Sequence, residues 1–154
     1  MAGAFKHVYL LENSKVALKA MKESISYNSL QNTTILDVDI LNSQFDNLIP
    51  NYDNCIIICN PPYVPLEKEK SVIFEPFEAI YSGRDGLDFF RNFSKLLFSS
   101  LLFKNSKYTI IELDPRNILE AIQVINSYNL DKITTHIEKD EEGFDRFLII
   151  KKIT

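Results

Sequence analysis

The sequence predicts an α/β fold built on a mostly parallel sheet, with an antiparallel hairpin at its C-terminal edge. Three observations carry this. Apolar, β-branched runs alternate with stretches of three- and four-residue apolar spacing, in the order β-α-β-β-loop-α-β-α-β-β. The run Ile56-Ile57-Ile58-Cys59 stops abruptly at Asn60-Pro61-Pro62-Tyr63, as a buried strand does when proline ends it. The last two apolar runs, 131–138 and 146–152, flank Glu141-Glu142-Gly143-Phe144-Asp145 and lie close enough to pair as a hairpin.

The elements follow in order. Val8-Tyr9-Leu10-Leu11 reads as a strand ending at Glu12. Ser14 can cap a helix from Lys15 to Tyr27, with Ala17, Leu18, Met21 and Ile25 on its apolar face. Asn28 and Asn32 bracket a turn, and Thr33 to Asp39 forms the second strand. A looser segment through Phe45, Asn47 and Pro50 leads to the isoleucine strand. Residues 64–86 read as a long loop, with ordered turns at Phe74-Glu75-Pro76 and Ser82-Gly83-Arg84-Asp85-Gly86. A loop of that length in a compact domain is usually functional. Leu87, Phe90, Phe93, Leu97 and Leu101 predict one helix from Leu87 to about Phe103. Tyr108 to Leu113 is a strand. Asp114-Pro115 reads as a cap with proline at the first helical position, opening a helix to about Asn129. Alternating strands and helices imply a sheet covered on both faces, with one antiparallel strand at the edge.

Bulk properties narrow the function. The chain has 154 residues, enough for one domain with its own core. It is 45% hydrophobic and 25% charged, a globular balance. No apolar run approaches the roughly 20 residues that span a bilayer. The N-terminal residues lack the apolar core of a signal peptide, so we expect a cytoplasmic protein without a membrane partner. The net charge of −4 argues against a broad electrostatic footprint on nucleic acid. Cys55 and Cys59 lie on one face of a single strand, without the partners a zinc site needs. They read as small buried hydrophobes, and we expect no metal.

Asn60-Pro61-Pro62-Tyr63 is the candidate catalytic stretch. In open α/β sheets, ligands sit beyond the carboxyl ends of the strands, where this turn falls. Pro61 and Pro62 fix φ near −65° and carry no N–H, and Pro61 drives Asn60 out of the helical region. The turn is therefore stiff, with carbonyls not consumed by a helix. Asn60 adds an acceptor and a donor, and Tyr63 a flat face with a hydroxyl. Two acceptors and an aromatic cover suit a planar –NH2 group. Accepting both of its hydrogens makes the nitrogen a better nucleophile.

This combination resembles the class I, Rossmann-like methyltransferases that use S-adenosylmethionine. It is more closely similar to the HemK/PrmC family, which methylates the glutamine side-chain amide of peptide chain release factors. The tetrapeptide matches the family signature, though adenine-amine methyltransferases share it. Phe74-Glu75-Pro76, with Gly86-Leu87-Asp88 downstream, matches the following segment and favours the release-factor branch. Asp145-Arg146 matches the C-terminal strand pair. The resemblance implies that Glu12 binds the ribose hydroxyls of the cofactor, that Asp39 meets its adenine amine, and that Asn60 also takes part in cofactor binding. It implies that Asn60 and the Pro61 carbonyl hold the substrate amide, that Tyr63 packs on it, and that Phe74, Glu75 and Pro76 belong to a substrate loop.

The chain departs from the family pattern at its start. Its glycines are Gly3, Gly83, Gly86 and Gly143, and none forms a G-x-G. Only seven residues precede Val8, too few for a first strand, a Gly-rich turn and a helix. We therefore expect residues 1–154 to form a single, partial methyltransferase domain, lacking that first strand and loop. An exposed sheet edge would follow, open to self-association or a partner chain. Two alternatives stay open: an adenine-amine methyltransferase of DNA or RNA, and a degenerate or split fragment that acts only as a binding module.

Overall fold

The computed structural model describes residues 5–49, 53–66 and 76–153. The chain divides into two compact units, Met1–Asn51 and Tyr52–Thr154.

The first unit is a strand-helix-strand crossover. β1 (Val8–Glu12) and β2 (Thr33–Asp37) pair in parallel, in register from Val8 with Thr33 to Glu12 with Asp37. α1 (Lys15–Tyr27) joins them, and its N-cap is Ser14, whose hydroxyl accepts from the Ala17 N–H. Leu18 is the helix's buried anchor. Asn28 closes the helix by donating its side-chain amide to the Ser24 carbonyl at 2.8 Å. β2 is shorter than expected. It stops at Asp37 because Asp39 caps a 3-10 turn over Ile40–Asn42. A second such turn covers Phe45–Asn47.

The second unit carries a four-stranded sheet in the order β3-β4-β6-β5. β3 (Cys55–Cys59) and β4 (Ser106–Glu112) are parallel. β6 (Asp145–Lys152) runs antiparallel to both β4 and β5 (Ile133–Lys139). The hairpin lies at the sheet edge as expected, but the order of its two strands differs from a single antiparallel edge strand. The antiparallel strand lies one position inside the sheet, and β5 forms the edge. β6 carries the apolar Phe147-Leu148-Ile149-Ile150, whereas β5 alternates Thr, His and Glu with isoleucine, and the more apolar strand takes the inner place.

The core lies on one face. Register places Thr109 and Ile111 of β4 beside Ile150 and Leu148 of β6, and all four are essentially inaccessible. Phe90, Phe93, Leu97, Phe103, Ile118 and Ile125 from the helices are equally buried. Fully burying side chains of this size contributes about 1.5–3 kcal/mol each. The opposite face differs from the two-sided cover expected: Ile56 and Ile58 of β3 are 38% and 57% exposed.

Two helix boundaries also differ from the periodicity. α2 (Phe77–Ile80) is a single turn within the long loop. The expected helix from Leu87 to Phe103 is two, α3 (Asp88–Ser99) and α4 (Leu101–Asn105). Ser100 breaks them apart with extended backbone. Its hydroxyl donates to the Leu97 carbonyl at 2.6 Å and accepts from the Phe103 N–H at 3.1 Å. Serine competes with the helix for its own backbone, and here it closes one helix and opens the next. α5 (Ile118–Ser127) likewise starts later than Asp114-Pro115 suggested. Asp114 instead holds an intervening turn, where its carbonyl accepts from the Asn117 N–H at 2.9 Å.

Ser100→Ala removes both hydroxyl bonds at a buried site. We expect it to lower unfolding free energy by about 1 kcal/mol, measured by denaturant titration with unchanged helical circular dichroism. An unchanged midpoint would show that the break does not depend on the hydroxyl.

Candidate functional site

Tyr63 is the residue around which the second unit's polar groups converge. β3 ends at Cys59, and the chain leaves the sheet through exposed Asn60, buried Pro61 and half-buried Pro62. Tyr63 itself is half-buried, and its hydroxyl donates to Glu112 Oε1 at 3.1 Å. Glu112 is the last residue of β4, so two neighbouring parallel strands deliver these groups to the same sheet end. Burial pushes the Tyr63 phenol up, reinforced by the Glu112 carboxylate, while Arg146 opposes the shift.

The Tyr63 carbonyl has its own partner. Asn117 Nδ2 donates to it at 3.2 Å. Asn117 is 7% exposed and stands at the start of α5. Gly86 lies against both groups. A Cβ there would sit 2.2 Å from the Tyr63 oxygen and 2.6 Å from Asn117 Nδ2, and its φ is +82°, so only glycine fits. The next residue is clamped too. Val64 donates to the Ile80 carbonyl at 2.9 Å and accepts from the Ser82 N–H at 3.0 Å. The two stems of the long loop are thereby tied by a parallel bridge between Val64 and Tyr81.

Beside Tyr63 opens a groove of about 450 Å3, lined by Tyr63, Glu112, Asp140, Glu141, Glu142 and Arg146, with Phe147. Arg146 Nε donates to Asp140 Oδ2 at 3.2 Å, which anchors its guanidinium to the hairpin turn. The lining therefore carries four carboxylates and one guanidinium. Just beyond β4, Asp114 Oδ1 accepts from Arg116 Nε at 2.8 Å and from the Arg116 N–H at 2.9 Å. Hydrogen bonding by Arg116 holds the Asp114 carboxyl below the usual carboxylate range, against the opposing effect of burial. Cys59, on the strand, is a free thiol pushed up to about 12 by burial, which leaves it unreactive at neutral pH.

Glu12 and Asp39 belong to the first unit. Glu12 ends β1, and its Oε1 accepts from the N–H groups of Asn13 and Ser14 at 2.9 and 2.8 Å. Asp39 accepts from the Leu41 N–H at 3.0 Å and from Asn42 Nδ2 at 2.7 Å. Pro76 is the N-cap residue of α2, whereas Phe74 and Glu75 lie outside the described residues. The sequence reading missed Glu112, Asn117 and Asp140. Glu112 carried a usable signal, an acid ending an apolar strand, which is the pattern that singled out Glu12.

No protein-family model matches the chain. Its sequence does have relatives. A release factor glutamine methyltransferase of Thermodesulfovibrio yellowstonii is 25% identical over 150 residues, covering 94% of this chain and 50% of the relative. One from Mycoplasma mycoides subsp. mycoides is 28% identical over 148 residues, covering 94% and 51%. One from Fusobacterium nucleatum is 24% identical over 147 residues, covering 92% and 39%. The relatives are release factor glutamine methyltransferases.

The chain thus spans about half the length of these curated relatives, or less. Among solved structures, the hMettl16 catalytic domain in complex with an RNA hairpin matches with a TM-score of 0.67 at 14% identity, covering 96% of this chain and 56% of that one. The Mtq2–Trm112 complex of E. cuniculi, responsible for methylating the termination factor eRF1, matches at 0.52 and 15%, covering 97% and 86%. A methyltransferase from Streptococcus mutans in complex with SAH matches at 0.56 and 14%, covering 96% and 77%. The fold is that of the class I methyltransferases. Among the described residues no helix is long and apolar enough to cross a membrane.

The Asp114–Arg116 pair gives a pH prediction. A carboxyl held low in the folded state stabilises it above the unfolded pKa of about 3.9, and that stability is lost as pH falls through the folded value. Asp114→Asn should destabilise the chain at pH 7 by about 1–2 kcal/mol. It should also flatten the fall in stability below about pH 4. Parallel acid limbs for wild type and variant in denaturant titrations would refute this assignment.

Proposed function

We propose that the chain serves methyl transfer from S-adenosylmethionine to a glutamine side-chain amide of a peptide chain release factor, as one partial catalytic domain. The observation that carries the reading is the Asn60–Tyr63 turn at the carboxyl end of β3, opening beside an acidic groove, in a chain whose sequence relatives are release factor glutamine methyltransferases. The groove chemistry favours a protein acceptor. Four carboxylates against one guanidinium repel a phosphate backbone, whose binding depends on cationic neutralisation.

The donor set fits the cofactor in its carboxylates. Glu12 has one oxygen fixed by two backbone N–H groups, which orients the carboxylate and leaves Oε2 as an acceptor for a ribose hydroxyl. Asp39 uses one bond at each oxygen, and each carboxylate oxygen has a further lone pair for an adenine amine. When bound, S-adenosylmethionine supplies an electrophilic methyl group. The chain's own residues handle the acceptor. Asn60 Oδ1 and the Pro61 carbonyl accept the two amide hydrogens, which raises electron density on the nitrogen. Tyr63 covers the amide plane. The prolines hold these acceptors in place, so the contribution is positioning and electrostatic preorganisation. As the nitrogen–methyl bond forms, the donor's sulfonium–methyl bond would break to leave a neutral thioether, and one amide proton would then leave to water, so the turn needs no general base.

The test uses the full chain, methyl-labelled S-adenosylmethionine and a purified release factor. Asn60→Ala should reduce methyl incorporation by about 10²–10³, a loss that persists at saturating cofactor. Glu12→Gln should instead weaken cofactor binding, read by calorimetry. Full activity in Asn60→Ala, or preferential labelling of an adenine-containing nucleic acid, would overturn the reading.

The same proposal assigns a partner surface to the edge of β3. Among the described residues this strand pairs only with β4, and it exposes Ile56 and Ile58. An open apolar edge invites another strand. Sedimentation should show concentration-dependent association of the wild-type chain, reversed by Ile58→Lys. A monomer at all concentrations would exclude association of the chain with itself through this edge.

A further inference from the structure

Tyr63 has few free torsions in this structure, and most of the reason lies in residues outside the Asn60–Tyr63 turn. Its backbone is limited on the upstream side by Pro62, whose ring fixes φ. Downstream, Val64 is locked by the bonds to Ile80 and Ser82. The intervening carbonyl is held by Asn117 Nδ2 at 3.2 Å, with Gly86 pressed against the same oxygen. What remains free is the side chain, and Glu112 takes its hydroxyl at 3.1 Å.

We infer that Asn117 and Glu112 are positioning residues that grip Tyr63 at its two ends, Asn117 at the carbonyl and Glu112 at the phenol, and so set the plane of the ring over the acceptor. The inference rests on the proposed reading of Tyr63 as the acceptor's cover, but the grip itself is a property of this chain alone. Asn117 is well placed for the task. It is buried, its backbone N–H is fixed by the Asp114 carbonyl, and its own carbonyl begins the α5 hydrogen-bond ladder through the Ala121 N–H at 2.9 Å. Its side chain therefore reaches Tyr63 from a rigid base. Glu112 is equally fixed, as the last paired residue of an inner strand, opposite Phe147 of β6. A rigid helix start and a rigid strand end hold one aromatic ring, separated from them in sequence by 54 and 49 residues.

Gly86 makes the grip specific. Any side chain there meets the Tyr63 oxygen or the Asn117 amide, so the glycine permits the approach that the hydrogen bond needs. This explains why a glycine with positive φ stands in front of α3, beyond closing a turn.

The phenol reports the grip. Three charged groups act on it: Glu112 from β4, Asp114 just beyond β4, and Arg146 from β6. Burial, the Glu112 charge and the Tyr63–Glu112 hydrogen bond raise its pKa, and Asp114 adds to this, while Arg146 lowers it. The full chain, with tyrosine labelled at Cζ with carbon-13 and the Tyr63 resonance assigned through Tyr63→Phe, is titrated by NMR. Wild type should titrate above the ordinary tyrosine value of about 10. Glu112→Leu, which removes charge and acceptor together, should lower the midpoint toward that value. Asn117→Ala should lower it as well, because the freed carbonyl lets the ring leave its half-buried seat. A merely structural Asn117 would lower the melting temperature and leave the titration where it was, and that result overturns the inference. An unmoved midpoint in Glu112→Leu overturns it too. Should Asn117→Ala not fold, Asn117→Ser, which keeps a polar side chain too short to reach, carries the same expectation. Failure of the underlying functional reading is seen separately, as methyl transfer that survives Asn60→Ala while the titrations behave as described.

Discussion

Ile111 pairs with Leu148 in the middle of the four-stranded sheet, and neither exposes any surface. That buried pairing fixes the register of β4 against β6. A slip of one residue would turn Ile111 and Leu148 outward and their half-exposed neighbours inward, so the register is strongly specified. Everything at the site inherits it. Glu112 follows Ile111 directly, Arg146 sits two residues before Leu148, and the Leu113 N–H donates to the Arg146 carbonyl at 2.9 Å. Hydrophobic burial on one face thus places an acid and a base at the same sheet end, where the turn after β3 also arrives.

How much of this was legible in the sequence depends on range. Features encoded within a few residues were read correctly: Ser14 as a cap, the α1 limits, the isoleucine strand ending at Asn60, and the hairpin. Boundaries governed by a side chain choosing between two backbone partners were not. Ser100 lies in a helical apolar pattern, and only its bonds to Leu97 and Phe103 reveal the break. Asp114 looks like a helix cap, yet Arg116 claims its carboxylate, and the helix begins later. The insertion of β6 between β4 and β5 is a choice of long-range partner, which periodicity does not contain. The hold on Tyr63 is of the same kind, since it unites residues 63, 86, 112 and 117 through the fold alone.

The two units divide the expected chemistry by residue. The first holds Glu12 and Asp39, each at the carboxyl end of a parallel strand and each already fixed by backbone or side-chain donors. The second holds the tetrapeptide and the groove. Carboxylates that are prefixed by N–H donors lose little freedom on meeting a hydroxyl or an amine, which lowers the cost of recognition.

Asn60 and Tyr63 are treated in opposite ways by the structure, and the contrast bears on the proposed methyl transfer. Tyr63 is bound at carbonyl and hydroxyl, whereas Asn60 is left exposed at the strand end. On the proposed reading, an acceptor for an incoming –NH2 gains nothing from a competing partner, while a ring that presents one face gains from being held. Proline reconciles the two demands. Pro61 and Pro62 stiffen the backbone beside Asn60 by covalent geometry, without N–H groups that would seek partners. The order Asn-Pro-Pro-Tyr therefore has a physical logic: an exposed amide, a rigid spacer without donors, and an aromatic ring anchored to the next strand and helix.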